Sequence, residues 1–407
     1  MQLTALSTAD LLAERLAHRR RDHSLDREFY TDADFYHLDL ERVWYREWLF
    51  VGHDTAIPTA GDFFTVTIGD YNLIVIRGDD GVVRALHNVC RHRGSVLCEA
   101  DHGTMRRRIV CPYHQWSYAL DGALAKARKI EEDFEPGEHG LGTAACEVLQ
   151  SMIFVSVAAT PPDFAPMRAM IEPYLAPFDL TNAKVAHSES VVEHGNWKLV
   201  MENNRECFHC KTAHPELCAT FPEAPLHSGG GDGDDLLALE RMVDHCESLG
   251  LPSRFVASAD FQYRAMRMPF LGEARSMTAD GSPAVARRFG ELPEENIGDV
   301  LLYHYPSTWN HYSADHAITF RIMPLGPTTT QLVTTWLVPG DAVEGVDYDI
   351  GNLTAVWRAT NAQDTVLVER TQRGVNSPAY RPGPYSLVEE EGVIQFIGWY
   401  RAKMLAE

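Results

Sequence analysis

Cys90-Arg-His-Arg-Gly94 and Cys111-Pro-Tyr-His-Gln-Trp116 are the two stretches that decide how this chain folds. Each stretch offers one thiol and one imidazole, spaced closely enough for a tight loop to aim both at one metal site. Gly94 and Pro112 suit such loops, because glycine tolerates left-handed backbone and proline fixes φ. The two loops together supply a Cys₂His₂ ligand set, made of Cys90, His92, Cys111 and His114.

Two kinds of metal site accept that ligand set. A structural zinc site takes Cys₂His₂, but zinc fingers usually pair cysteine with cysteine and histidine with histidine. Here each loop carries one of each, which fits a [2Fe–2S] cluster with both thiolates on one iron and both imidazoles on the other. The pattern therefore favours an iron–sulfur cluster and leaves a zinc-stapled binding protein as the alternative.

The residues around these loops predict a small antiparallel β domain. Short β-branched runs separated by turn signals extend from about Trp48 to Val157, for example Phe63–Ile68, Leu73–Arg77 and Val82–Leu86. Pro161, Pro162 and Pro166 then mark a boundary. Beyond them, strands and helices are grouped separately, which predicts an α+β domain.

A second ligand set lies in Glu206-Cys-Phe-His-Cys-Lys-Thr-Ala-His-Pro215. The run Trp197–His209 is predicted to be helical, so Glu206 and His209 would share one face. His214 lies five residues beyond His209 and would not share that face on an ideal helix. Because Pro215 disfavours helix at His214, the helix should end there and let His214 turn in beside His209.

Two imidazoles and one carboxylate form the facial triad of non-haem Fe(II) oxygenases, with positions left open for O₂. The third ligand is either Glu206 or a carboxylate from elsewhere in the chain. We favour Asp364, because the long helical stretch from about Tyr348 to Gly374 places it beside a partly apolar stripe. A buried carboxylate needs a partner, and a metal ion is one. An exposed Asp364 at the edge of the stripe is the alternative.

The order of these motifs resembles the Rieske oxygenases across nearly the whole chain, most clearly in Asn88–Val96 and Val110–Tyr118. The resemblance implies an antiparallel β Rieske domain and a helix-grip-like catalytic domain, whose antiparallel sheet surrounds a long helix. It implies His209, His214 and Asp364 as iron ligands. It also implies that Glu206 is an electron-transfer bridge from His209 to His114 of a neighbouring subunit in a homotrimer. Electrons would come from NAD(P)H through a flavin/iron–sulfur reductase, and O₂ would be the oxidant.

The chain is accordingly divided into an N-terminal helical segment (1–45), a Rieske domain (46–160) and a catalytic domain (161–407). The N-terminal segment is expected to pack on the catalytic domain, with a helix from Thr8 to about Arg20. The glycine- and aspartate-rich stretch Ser228–Asp235 is expected to be a mobile loop.

Composition excludes some partners. The formal net charge of −21 argues against nucleic acid, which needs clustered Lys and Arg, and no apolar run reaches transmembrane length. We expect a cytoplasmic protein, since no secretory signal is recognisable, and therefore reduced cysteines. The six cysteines outside the cluster motif are expected to be inert packing residues: Cys98, Cys146, Cys207, Cys210, Cys218 and Cys246.

The bridging position carries Glu206 instead of the Asp usual in ring-hydroxylating dioxygenases, and Phe208 stands where many relatives have Tyr. Both departures argue against an aromatic-ring dioxygenase. Glutamate at the bridge resembles the quaternary-ammonium branch of the family, which includes glycine betaine, proline betaine and carnitine oxygenases. Such enzymes hydroxylate an N-methyl carbon, and the product collapses to formaldehyde and the demethylated amine. An aromatic-ring dioxygenase α subunit and a carnitine-type oxygenase are the alternatives. A plain Rieske electron carrier would leave the residues after Pro166 unexplained.

A trimethylammonium group is best held by aromatic faces. If the segment around residue 305 is a strand, Tyr303, Tyr305 and Trp309 alternate onto one side, with Phe320 on a neighbouring strand. These four are the candidate cage, although an aromatic stripe is also what an ordinary core shows. His316 is the candidate donor for a substrate carboxylate.

Overall fold

The computed structural model describes residues 7–128, 134–222 and 233–406. Of the predicted loop Ser228–Asp235, residues 228–232 lie outside that part. The remainder was predicted wrongly, because a helix begins at Gly233. Leu236, Leu239, Val243 and Cys246 recur at helical spacing there and turn one side of the segment towards the protein.

The N-terminal segment forms helices α1 (Thr8–His18), α2 (Glu28–Thr31) and α3 (Ala33–Asp39). Ser7 caps α1, since its hydroxyl accepts from the backbone N–H of Asp10. The predicted helix from Thr8 is thus confirmed, and it ends two residues before Arg20. Leu12 and Leu16 are its buried residues, as expected for an amphipathic helix.

Residues Trp44–Phe164 form one compact unit, here called the smaller unit. A seven-stranded antiparallel sheet has the order β1-β10-β9-β4-β3-β2-β5, and β6, β7 and β8 form a three-stranded sheet. Gly81, at φ +79°, turns the chain between β3 and β4. The strands are β1 (Leu49–His53), β2 (Asp62–Ile68), β3 (Tyr71–Arg77), β4 (Val83–His87), β5 (His102–Thr104), β6 (Ile109–Val110), β7 (Ser117–Tyr118), β8 (Leu124–Lys126), β9 (Thr143–Leu149) and β10 (Met152–Ser156).

The larger unit joins the N-terminal segment to Ala165–Glu407. Its seven-stranded antiparallel sheet has the order β11-β17-β16-β15-β14-β13-β12. The α+β prediction is confirmed by this sheet and the helices that follow or interrupt it. Its elements are α4 (Ala165–Leu175), β11 (Ala183–Glu193), α5 (Trp197–Asn204), α6 (Cys210–Ala213), α7 (Gly233–Ser248), β12 (Val256–Ala257), β13 (Tyr263–Met268), β14 (Asp299–His304), β15 (Thr308–Tyr312), β16 (Ala317–Gly326), β17 (Thr329–Pro339), α8 (Ile350–Val375) and α9 (Glu391–Leu405).

The 26-residue helix α8 packs against this sheet. Its buried residues include Val356, Trp357 and Thr360, and Asn361 donates to the Thr334 hydroxyl of β17 at 2.9 Å. Asp349 caps the helix by accepting from the backbone N–H of Asn352. The long predicted helix is therefore confirmed. Its buried residues show which face of α8 packs against the sheet.

A fully buried ion pair ties α3, α5 and α9 together. Lys198 Nζ donates to Asp39, and neither side chain has any exposed surface. Asp39 also accepts from the indole N–H of Trp197 at 3.0 Å and from the Tyr400 hydroxyl at 2.6 Å. One carboxylate thus satisfies three donors from two helices.

We expect Asp39→Ala to destabilise the larger unit by about 3–5 kcal/mol, because it leaves the buried Lys198 ammonium without a counter-charge. Urea unfolding followed by tryptophan fluorescence measures the loss. Asp244→Ala is the control, since it breaks an exposed ion pair with Arg254 in the same unit and should leave the unfolding midpoint unchanged. Equal shifts for the two variants would contradict the prediction.

Candidate metal centres and cavity

Two tight loops of the smaller unit present the cluster motif. The first follows β4, where the Gly94 N–H donates to the Cys90 carbonyl at 2.9 Å and Gly94 takes φ +75°. The second follows β6, where the Gln115 N–H donates to the Cys111 carbonyl at 3.1 Å and Gln115 takes φ +62°. Each loop therefore reverses direction just after its cysteine. For the first loop, this turn was predicted from the position of Gly94.

The four motif side chains offer a complete donor set for a [2Fe–2S] cluster. Cys90 and Cys111 are buried free thiols. The Nδ1 atoms of His92 and His114 are buried and have no hydrogen-bond partner among the described residues. The centroids of the two rings are 4.7 Å apart. Buried ring nitrogens without partners are costly, and ligation to iron would satisfy both. The residues therefore fit the cluster.

Neighbouring groups hold these donors in place. The Tyr118 hydroxyl lies 3.3 Å from Cys90 Sγ and accepts from the Arg91 N–H at 3.0 Å. Burial raises the pKa of the Cys111 thiol, but the backbone N–H groups of Tyr113 and His114 outweigh this effect, so the pKa is lowered. Hydrogen-bond donors of this kind stabilise thiolate sulfur and help to set the potential of a cluster.

In the larger unit, His209, His214 and Asp364 converge on one point. The two Nε2 atoms are 3.0 Å apart, and Asp364 Oδ1 lies 3.3 Å from His209 Nε2 and 3.0 Å from His214 Nε2. With metal–ligand distances of about 2.1 Å, adjacent octahedral ligands lie about 3.0 Å apart. Asp364 Oδ1 is buried and has no hydrogen-bond partner among the described residues. The three donors therefore fit one face of a mononuclear iron.

The local fold that brings the histidines together differs from the one predicted. Helix α5 ends at Asn204, so the prediction of a continuous helix Trp197–His209 is wrong. The Glu206 carboxylate accepts from the backbone N–H groups of Phe208 and His209, which competes with helical hydrogen bonding. Glu206 and His209 meet inside this turn. Helix α6 ends before His214, as Pro215 predicted.

Both ligand histidines are oriented through their other ring nitrogen. His209 Nδ1 donates to Glu206 Oε1 at 2.6 Å, and His214 Nδ1 donates to Gln363 Oε1 at 2.8 Å. Gln363 in turn donates to Glu216 at 2.9 Å. Such hydrogen bonds fix the tautomer and leave Nε2 free for a metal. Sequence reasoning missed Gln363, whose only signal was its place beside Asp364.

Charge at the triad favours a cation. Burial lowers the pKa of His209, but Asp364 and Glu206 outweigh this effect and raise the pKa to about 9. Burial likewise raises the pKa of Asp364, but His209 and His214 outweigh it and lower the pKa. Two carboxylates thus stabilise positive charge between the rings, which a divalent metal would supply.

A disulfide joins Cys207 and Cys210 in the turn that carries His209. The predictions that these two cysteines are reduced and are inert packing residues are therefore wrong. The other four cysteines outside the cluster motif are free thiols. Cys210 Sγ lies within 4.8 Å of donor nitrogens of His209 and His214. Because its sulfur is already bonded to Cys207, the Asp364 carboxylate is the better third ligand.

A small cavity of about 80 Å³ opens beside the triad. The loop after α5, the helix α8 and the strands β14 and β15 contribute its walls. Drug-sized ligands usually occupy about 300–1,000 Å³, so this cavity suits a much smaller molecule. The residues that line it include Asn203, Arg205, Phe221, Tyr303, His311, Trp357 and Thr360, together with the triad.

Of the five substrate contacts predicted from the sequence, only Tyr303 lines this cavity. Strand β14 ends at His304, so Tyr305 does not continue the alternation, and its hydroxyl accepts from Arg205 Nε at 2.7 Å. Trp309 stacks on Phe320 with ring centroids 5.3 Å apart, and Phe320 in turn contacts the lining residue Trp357. His316 is buried against Asp315 at 3.1 Å. The structure does not place these four side chains at the cavity.

Four lining residues were missed by sequence reasoning about the substrate. Trp357 lies in the long predicted helix, which was considered only for Asp364. Phe221 follows the turn that carries His209 and has no motif of its own. His311 lines the cavity while its Nδ1 donates to the buried Asp299 at 2.7 Å. Arg205 was read only as part of a helix. All four come from separate elements, so no local spacing brings them together.

Two family descriptions match the chain, and both agree with this geometry. Residues 47–144 match the Rieske [2Fe-2S] domain. Residues 180–406 match the ring hydroxylating alpha subunit (catalytic domain). No helix in the described ranges is both long and apolar enough to cross a membrane.

Individual relatives agree with these matches. A glycine betaine monooxygenase oxygenase subunit of Chromohalobacter salexigens is 45% identical, over 98% of this chain and 89% of that protein. A protein of the same name from Pseudomonas aeruginosa is 42% identical, over 98% of this chain and 92% of that protein. The crystal structure of a quaternary ammonium Rieske monooxygenase with an inhibitor superposes with a TM-score of 0.73 at 20% identity, covering 96% of this chain and 98% of the other.

Proposed function

The chain belongs to the Rieske non-haem iron oxygenases with a ring-hydroxylating-type catalytic domain, and we propose that it N-demethylates a small betaine, with glycine betaine as the first candidate and proline betaine as the second. The observation that carries the proposal is the small cavity beside the triad, with the aromatic residues Trp357 and Phe221 in its lining. Relatives 45% and 42% identical over nearly the whole chain are glycine betaine monooxygenase oxygenase subunits, which supports the same substrate.

The wall formed by Trp357, Phe221 and His311 suits a quaternary ammonium group. Trp357 and His311 have ring centroids 4.8 Å apart, and His311 and Phe221 are 5.5 Å apart. Aromatic faces attract ammonium cations, and the attraction grows when the site is dry. Asp299 is fully buried behind His311 and adds negative charge to this side of the cavity.

Each metal-binding residue has a proposed role. Cys90, His92, Cys111 and His114 hold the cluster, and His209, His214 and Asp364 hold the mononuclear iron. When bound, the two centres supply O₂ activation and electrons that a reductase draws from NAD(P)H. Glu206 orients His209 and, in a homotrimer, connects it to His114 of the partner subunit.

The reaction balances with one betaine, one O₂, one NADH and one proton. It yields the protonated amine that has lost one N-methyl group, formaldehyde, water and NAD⁺. The C–H bond of one N-methyl group becomes C–O, and the resulting carbinolamine breaks its C–N bond. The part played by this chain is to hold one methyl group beside the triad and keep bulk water out of the small cavity.

Formaldehyde release tests the proposal. The iron-loaded protein, a surrogate reductase, NADH and air are incubated with glycine betaine, proline betaine, carnitine, choline or benzoate. With one betaine we expect formaldehyde in proportion to the NADH consumed, and mass spectrometry should detect the amine that has lost one N-methyl group. Catalase is added, so that peroxide from uncoupled turnover does not oxidise the product.

The competing activities give different results in the same assay. Turnover of carnitine alone would favour a carnitine-type oxygenase, and a dihydrodiol from benzoate without formaldehyde would favour an aromatic-ring dioxygenase. His209→Ala is the inactive control, because it removes a proposed iron ligand. A reddish, reducible protein that releases no formaldehyde from any ammonium compound would rule out the demethylase.

A further inference from the structure

Two buried arginines flank the ring of Tyr303. Arg205 is 1% exposed and Arg264 is 3% exposed. Their guanidinium carbons lie 4.4 and 4.7 Å from the centre of the Tyr303 ring. Because two guanidinium groups already lie over this ring, an ammonium group in the cavity is better placed against Trp357, Phe221 and His311.

Neither arginine has an acidic partner among the described residues. Arg205 Nε donates to the Tyr305 hydroxyl at 2.7 Å, and Arg264 Nη1 donates to the side-chain Oε1 of Gln395 at 2.8 Å. The Nη2 atom of each is buried and has no hydrogen-bond partner in the described ranges of the chain. A buried cation without a counter-charge is costly, so an anion at this place would be strongly stabilising.

Arg205 and Arg264 differ in one respect that decides their roles. Arg205 lines the cavity beside the triad, and it is the one lysine or arginine among the described lining residues. Arg264 lies on β13, across the strand pair from Tyr303, and does not line the cavity. Arg205 is therefore the arginine that borders the cavity, whereas Arg264 contacts the Tyr303 ring without bordering the cavity.

We propose that Arg205 binds the carboxylate of the substrate and so selects zwitterions over simple ammonium cations. The inference rests on the proposed betaine demethylase function and adds a residue that decides specificity. The ammonium group lies on the wall of Trp357 and Phe221, and the carboxylate points to the wall of Arg205 and Tyr303. An Arg–carboxylate contact of this kind is charge-assisted and, in a dry site, among the stronger polar interactions.

The guanidinium is held ready for such a contact. The Tyr305 hydroxyl fixes Nε, and Tyr305 itself packs on Phe396 of α9 with ring centroids 5.2 Å apart. Gly392 leaves room for the guanidinium, because a Cβ at that position would lie 2.6 Å from Arg205 Nη2. Little side-chain freedom is left to lose when the substrate binds, which favours affinity.

Calorimetric titration of the iron-loaded protein with glycine betaine and choline tests the inference. Both ligands carry a trimethylammonium group, but choline has a hydroxyl in place of the carboxylate. We expect Arg205→Gln to weaken binding of glycine betaine at least about 30-fold, the range for removing one partner of a buried charge pair. Binding of choline should change less than about threefold. Arg205→Lys should recover part of the affinity for glycine betaine.

Arg264→Gln is the matched control, because it removes the other guanidinium from the same ring without touching the cavity. Its affinity for glycine betaine should stay within about threefold of that of the unmodified protein. Circular dichroism and the visible spectrum of the cluster show that each variant is folded. Unchanged binding of glycine betaine by folded Arg205→Gln, or equal weakening of glycine betaine and choline, would overturn the inference.

Failure of the proposed function is distinguishable in the same titrations. If the unmodified protein binds neither glycine betaine nor choline, the betaine function fails, and acetate is then titrated as the probe. Acetate binding that disappears in Arg205→Gln but persists in Arg264→Gln would retain the anion site. Equal acetate binding by all three proteins would overturn it.

Discussion

Asp364→Ala is expected to lower formaldehyde release by at least about 1,000-fold and to remove the mononuclear iron while the cluster stays in place. The reason is geometric. Asp364 Oδ1 lies 3.0–3.3 Å from the Nε2 atoms of His209 and His214, and no other carboxylate closes that triangle in the described parts of the chain. Two neutral imidazoles alone bind Fe(II) weakly, because the carboxylate supplies the charge. Without iron the remaining rate is the uncatalysed one.

Iron and acid-labile sulfide, measured on the same sample, check the expected loss. Sulfide and the visible spectrum should match those of the unmodified protein, while total iron falls. Glu369→Ala is the control, since it also removes a carboxylate from α8, one that accepts from the His194 N–H at 3.2 Å. It should keep full iron content and most of its turnover. Asp364→Ala protein that retains both iron and formaldehyde release would contradict the assignment.

The cluster motif could be read from the sequence because its chemistry is local. Cys90 and His92 are two residues apart, and Cys111 and His114 are three apart, so one tight loop suffices for each pair. The position of His214 was also predictable, since Pro215 ends the helix before it. Asp364 is different, because only the resemblance and its place on α8 selected it. Its approach to His209 depends on how distant elements pack.

The substrate cavity could not be predicted in the same way. Tyr305 left the predicted stripe because β14 ends one residue earlier, and a shift of one residue reverses the side on which strand residues point. Phe221, His311 and Trp357 meet only in the tertiary structure. The end of α5 at Asn204 was missed too, because the Glu206 side chain replaces helical hydrogen bonds in a sequence that otherwise favours helix.

Glu206→Gln is expected to lower kcat by about 100-fold with little change in KM or iron content, the upper range for a residue that orients a metal ligand. One oxygen of Glu206 accepts from His209 Nδ1 at 2.6 Å, and the other accepts from the backbone N–H groups of Phe208 and His209. Glutamine has nearly the same shape but one acceptor and one donor. In either orientation of its amide, an N–H group faces another donor, so one of the two contacts is lost.

Glu202→Gln is the matched control on the same segment. Glu202 is half-buried and accepts from the hydroxyls of Tyr30 and Tyr385 at 2.8 and 3.0 Å, outside the cavity lining. Burial raises its pKa to about 7, so near neutral pH it is already partly protonated, and a neutral glutamine should leave kcat within about threefold.

A single-turnover experiment separates the role of Glu206 in coupling the two centres from a merely structural one. Protein with both centres reduced is mixed with substrate and O₂, and oxidation of the cluster is followed by its visible absorbance. If Glu206 couples the centres, Glu206→Gln should slow this oxidation about as much as it lowers kcat. Normal cluster oxidation together with a weakened affinity for the substrate would instead assign Glu206 to the turn alone. Glu206→Asp keeps the charge but is one methylene too short for both contacts. Its rate of cluster oxidation should therefore fall between those of the unmodified protein and of Glu206→Gln.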